Sequence, residues 1–338
     1  MRWEVKVLWA GILLVTVLLI GGCGGSNDQS VFQNVFDRGT WNPTGSRLSF
    51  ESIGGNGLFY IYSIDANGGN LVLLTPTDND DDLSDEGGKM PAWSPVAANN
   101  ELAMVARRGT GGQALFLINP TNPSMTAIRL TDDTVPGADS QPSWSPDGNT
   151  ILYVSNKGGS GRFTIWAVNR DGTNAREIYD PINTLRSVAK LRMPENIDAQ
   201  WPVYSPDGTR IAFQFGIPQD STTDTFIVVI NADGTNPVAL GENNGFRDDA
   251  PWFSPDGTRI AFHSNRSGDF DIWTMDTPAV PVLAQAGETN LVQLTSDSRS
   301  DGFPVWSPAV NRIAFTRDRE LWSMNADGTN QDQLTRRF

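Results

Sequence analysis

An aromatic residue followed by Ser-Pro-Asp-Gly recurs along this chain at a near-constant interval, and no other feature narrows the possible folds as far. Complete copies are Trp144-Ser145-Pro146-Asp147-Gly148, Tyr204-Ser205-Pro206-Asp207-Gly208 and Phe253-Ser254-Pro255-Asp256-Gly257. Shortened copies are Trp93-Ser94-Pro95 and Trp306-Ser307-Pro308, and Trp41-Asn42-Pro43 is a degenerate first one. Successive prolines are 52, 51, 60, 49 and 53 residues apart. A repeat of that period belongs to a propeller or a solenoid.

Each unit has the same interior. Pro-x-aromatic is a short strand, and Ser-Pro-Asp-Gly is a tight turn in which Pro sets φ and Gly takes the positive φ. An alternating strand follows, as in Arg259-Ile260-Ala261-Phe262-His263-Ser264, and then a variable loop. A third strand such as Asp271-Ile272-Trp273-Thr274-Met275 leads to an Asp-Gly hairpin, as at Asp171-Gly172, Asp233-Gly234 and Asp327-Gly328. Asp-Gly between apolar runs is a strong hairpin signal. The fourth strand ends in Leu-Thr, as at Leu74-Thr75, Leu130-Thr131, Leu294-Thr295 and Leu334-Thr335. Four antiparallel strands per unit and six units predict an all-β fold, a six-bladed β-propeller over residues 36–338. One blade cannot bury both of its faces, so the large aromatics must pack between neighbouring sheets.

These motifs resemble the Trp-Asp-like β-propeller repeats of the TolB family, from about Phe36 to the end of the sequence. The resemblance implies a protein-interaction role in the bacterial envelope. That family carries an α/β domain before its propeller. Here only about a dozen residues separate Cys23 from the first unit, so that domain is not expected.

The first residues read as an address. Arg2 and Lys6 precede an apolar run over 7–20 that is short for a membrane span, which takes about 20 residues. Ile20-Gly21-Gly22-Cys23 resembles the bacterial lipobox, in which cleavage precedes a Cys that is then acylated. This predicts a lipoprotein signal peptide over 1–22, lipid on Cys23, the only Cys, and a Gly- and Ser-containing tether over 23–35. Gly24, rather than Asp, favours the outer membrane.

Charge and side-chain inventory then limit the function. A net charge of −14 disfavours nucleic acid as a partner. One Cys and one His exclude Cys/His zinc sites and disulfide frameworks. The sequence points to no cofactor. His263, in a second strand, reads as structural, and no Gly-x-Ser-x-Gly elbow accompanies it. The expectation is therefore a chain that is not an enzyme.

In each blade the first strand should line the central channel. The turns between strands one and two and between three and four share one face, and they are short. The other face carries the long loops, where binding usually resides. Asp139, Asp248 and Asp301 each sit three residues before the Pro of a first strand, and Asp198 sits four before. They are candidates for a partial carboxylate ring at the channel mouth that takes a cation or a basic group of a partner. Each is also explained as a turn cap. The first inter-blade link adds Asp80, Asp81 and Asp82, which lack the Gly and Glu of a calcium loop. The 60-residue interval holds an insertion with Arg186, Lys190 and Arg192, a candidate contact loop.

Three functions follow. The first is a lipid-anchored envelope scaffold that binds another macromolecule, an envelope protein foremost, through its acidic loop-rich face. The alternative is a carbohydrate-active propeller, a lyase or glycosidase working with channel-mouth carboxylates. The third is a surface receptor for a small cationic ligand or a metal; aromatic side chains pointing into the channel would favour a sugar as ligand, and a carboxylate cluster with an ordered ion would favour the metal.

Overall fold

The computed structural model describes residues 38–335 apart from 55–56, 76–87, 108–110, 122–126, 133, 160, 181–196, 217–224, 242–244 and 279–287. Cys23 and the leader therefore lie outside the described residues. So do Asp80, Asp81, Asp82, Arg186, Lys190 and Arg192.

Six four-stranded sheets follow one another along the chain, each with its strands in sequential order. They are the six blades of a β-propeller, numbered here one to six. The first strands are Thr40–Trp41, Lys89–Trp93, Asp139–Trp144, Asp198–Tyr204, Asp248–Phe253 and Asp301–Trp306. Each contacts its counterpart in the neighbouring blade and so lies innermost. Short fourth strands such as Val72–Leu73, Ile128–Arg129 and Val292–Gln293 are exposed at the rim.

The alternating pattern expected of a sheet with one wet face is absent from the second strands. Arg259–Ser264 is buried at every position after the first. The cause is the stacking of blades: Phe262 faces one neighbour while Ala261 and His263 face the other way, and both sides are covered. Val203, Ala212 and Val229 of blade four thus share a core with Ile260, Phe262 and Met275 of blade five.

The repeated polar residues join this frame. In the Ser-Pro-Asp-Gly turn of blade four, the Ser205 hydroxyl donates to Asp207 at 2.5 Å and accepts the Arg210 N–H at 3.0 Å. Asp207 also accepts the Thr209 N–H at 3.0 Å. These donors, the Ser205 hydroxyl first, hold its carboxyl down at about 2. The Leu-Thr motif has an equally local cause. Thr75, Thr131, Thr295 and Thr335 each accept a third-strand N–H through Oγ1, from Ile61, Leu115, Ile272 and Leu321 at 2.9 to 3.1 Å.

The ring closes by packing. The Trp41 indole N–H of blade one donates to the Val305 carbonyl of blade six at 3.1 Å. Trp41, Leu48 and Phe50 share a core with Val305, Ala314 and Leu321. Trp144 repeats the first tie to the Ala92 carbonyl at 2.9 Å, so the closing interface uses the same bond as an internal one.

Candidate functional site

The site starts from one position of the repeat, the residue three before the motif aromatic. In blades one to six it is Arg38, Met90, Gln141, Trp201, Ala250 and Phe303. From blade two onward this residue directly precedes Pro, and its φ lies between 50° and 55°. A side chain in the left-handed region before Pro is unfavourable, and it persists here because a bulge imposes it. The first strands lose register with the second at this point, as between Gln200 and Val203, Asp249 and Trp252, and Gly302 and Val305. The bulge turns the residue's N–H toward the preceding blade. Met90, Trp201, Ala250 and Phe303 donate to Glu51, Gln141, Gln214 and His263 at 2.7, 2.6, 3.3 and 3.2 Å.

His263 is thereby explained. Its Nδ1 accepts the Phe303 N–H, so the ring proton sits on Nε2, 3.7 Å from Asp249 Oδ2. Burial, opposed by Asp249 and reinforced by Arg247 and Arg38, pushes its pKa down to about 4. The ring is neutral at pH 7, and its one basic nitrogen is committed to the backbone.

Aromatic rings gather beside it. Trp201 and Phe303 meet edge to face with centroids 5.1 Å apart. Phe303 and Phe270 lie 5.1 and 5.2 Å from the His263 ring. The Arg38 guanidinium sits 4.9 Å from the Trp201 ring and 5.0 Å from Trp252, and donates to the Pro251 carbonyl. Blade one thus reaches across to blades four and five.

Above these residues opens a cavity of about 560 Å³ lined from blades four to six. Trp201, Phe270 and Phe303 supply its apolar surface; Gln200, Gln214, Ser300 and Thr316 supply neutral polar groups. Among its charged groups, Asp249 accepts from Arg247 at 3.0 Å and from the Thr225 hydroxyl. Asp318 and Arg319 rim the cavity at the tip of a two-residue hairpin, both with positive φ. The cavity is on the face where first strands begin, the loop-rich face.

The four expected carboxylates are placed differently from one another. Asp301 lines this cavity, and Asp139, Asp198 and Asp248 do not. Asp301 takes a two-point bond from Arg317 at 2.6 Å on each oxygen. Asp248 bonds Arg266 at 2.7 Å, and Asp139 bonds Lys157 at 2.9 Å. Asp198 accepts the Phe163 N–H at 3.0 Å. Burial raises the pKa of Asp198, of Asp301 and of Asp248, the last to about 6, against the pull of their donors. Asp139, Asp248 and Asp301 fasten the start of a first strand to the end of its own second strand or the loop beyond, and Asp198 ties the first strand of blade four to the segment before the third strand of blade three. A cation arriving at them meets groups already bonded within the chain.

Sequence reasoning passed over the residue before Pro. Its identity changes from blade to blade, so it carries no motif. Its fixed offset from the aromatic was the available signal.

No family model matches the sequence. Its likeness is to solved structures. TolB from Acinetobacter baumannii superposes with a TM-score of 0.59 at 18% identity, over 88% of this chain and 65% of that one. The tricorn protease superposes at 0.58 and 15% identity, over 89% of this chain and 26% of that one. An oligogalacturonate lyase in complex with manganese gives 0.52 and 18%, over 90% and 78%. The shared fold is the six-bladed propeller. The chain spans under two thirds of the length of TolB and about a quarter of the protease.

These neighbours correct one expectation. The sequence pointed to a chain that is not an enzyme, yet the fold is shared with a protease and a lyase, so it gives no ground for setting catalysis aside. Among the described residues no three His, Cys, Asp or Glu side chains converge as metal ligands.

Proposed function

We propose that this chain is a lipid-anchored protein of the bacterial cell envelope whose propeller binds another macromolecule at the loop-rich mouth of its channel. The observation that carries the reading is the cavity over Trp201 and Phe303. It is concave, partly apolar and furnished with convergent polar groups, as ligand sites are. It opens on the face where first strands begin, and Asp80, Asp81, Asp82, Arg186, Lys190 and Arg192 are kept as contact candidates on their place in the sequence alone, in the links between blades. The lipobox-like Ile20-Gly21-Gly22-Cys23 supports the anchor, and the likeness to TolB is in keeping with the envelope.

The test is photo-crosslinking in the native cell. A benzophenone side chain at Arg319 should yield a discrete adduct, and one at Asn149 on the short-turn face should not. Equal labelling from both positions, or none from either, would remove the reading. Cys23→Ala should shift the protein from the membrane to the soluble fraction, and retention would remove the lipid anchor.

A second reading puts carbohydrate chemistry in the same cavity, because Asp249, Asp301 and Asp318 line it and an oligogalacturonate lyase shares the fold. Cleavage of a polysaccharide by the purified protein, abolished in Asp249→Asn, would establish it. An unchanged chain-length distribution over long incubation would dismiss it.

A further inference from the structure

The ligand class can be read from what the mouth leaves unspent. Its charges are matched inside the protein. Arg247 faces Asp249 at 3.0 Å, Asp301 is held by Arg317, and His263 is neutral. Asp318 and Arg319 are adjacent and opposite in sign. A strongly charged ligand would find no excess of the other sign. The main chain is also committed. The N–H groups of Trp201, Ala250 and Phe303 point into the preceding blade, each with an acceptor, so an extended peptide has no strand edge to pair with here.

What stays available is aromatic surface and neutral hydrogen-bonding groups. Gln214 is only 2% exposed, yet it lines the cavity. Its Oε1 accepts the Ala250 N–H, and its Nε2 has no partner among the described residues. An amide held by its oxygen presents the donors of its other end to the cavity. The Gln200 amide and the Ser300 hydroxyl line the same space, and neither makes a side-chain hydrogen bond among the described residues. Trp201 and Phe303 stand beside them as a fixed pair, 5.1 Å apart.

We propose that the channel mouth is a binding site for an uncharged glycan, which packs its ring faces on the Trp201–Phe303 pair and gives its hydroxyls to Gln200, Gln214 and Ser300. This rests on the reading of the mouth as the binding face, and it holds whether or not the glycan is then cleaved. It also separates this chain from a uronate-binding site, because the lining has no surplus cation for a row of carboxylates.

The test is an array of defined neutral and acidic glycans probed with the full-length protein in detergent, followed by titration of the best neutral hit. Saturable binding to a neutral glycan is expected. Trp201→Ala should weaken it ten-fold or more at an unchanged melting temperature, and Trp201→Phe should keep most of it. Binding to acidic glycans alone, or equal affinity in Trp201→Ala, overturns the proposal. An empty array together with a protein adduct from Arg319 overturns the glycan and leaves the mouth as the binding face. An empty array with no adduct overturns both.

Discussion

Trp201 and Phe303 belong to blades four and six, yet their rings touch, with centroids 5.1 Å apart. The residue at the same place in the blade between them is Ala250, fully buried and with φ at 52°. A small side chain there lets the two rings close over the intervening blade. The pair is thus set by three copies of one repeat position, two large and one small.

Ala250→Leu should separate the pair. The added carbons have no free space, and overpacking of a filled site costs about 1–3 kcal/mol. Thermal unfolding should show a lower melting temperature, and the tryptophan emission should shift as Trp201 loses Phe303. Ala250→Gly should be no less stable than the parent at this positive φ, since glycine takes that conformation without a Cβ penalty. A marked loss in Ala250→Gly would mean that the bulge is not held against the side chain's preference.

Much of this architecture was legible beforehand, and the reason is physical. Ser205, Asp207, Gly208 and Thr295 do their work within their own turn or hairpin, so several blades repeat them and the period is visible. The carboxylates were half legible. Asp139, Asp248 and Asp301 stood out, but their partners Lys157, Arg266 and Arg317 come 16 to 18 residues later, past a strand. That offset repeats too, and it marks an internal ion pair where the acid alone had suggested an open ring. The mouth itself was least legible. Its residues must differ from blade to blade to make one asymmetric site, and variation leaves no motif.

His263 should make stability depend on pH in a defined window. Its folded pKa is about 4, below the value near 6.5 of an exposed histidine. Between those values the unfolded chain binds a proton that the folded chain refuses, so its contribution to stability is intact above about 6.5 and falls as pH drops toward 4. Blade four carries Gln214 in the same role, accepting the Ala250 N–H. His263→Gln should therefore fold and should flatten this part of the profile. Denaturant titrations of both proteins at several pH values between 4 and 7 check this; parallel profiles would assign the dependence to other groups.

The Leu-Thr motif predicts a shared penalty. Thr295→Val keeps the volume but leaves the buried Ile272 N–H without its side-chain acceptor, at a cost of about 1–3 kcal/mol. Thr131→Val should cost the same for its N–H, Leu115 being bonded alike at 2.9 Å, while Thr295→Val also loses a 3.2 Å bond to Asp271. Chemical unfolding of the two variants gives the comparison. Blades are stacked sheets whose stabilities add through their interfaces, so the two losses should also add in the double variant, since the sites share no partner. A double variant much weaker than that sum would show that blades two and five unfold as one coupled unit, with the Trp41–Val305 closure transmitting the damage around the ring.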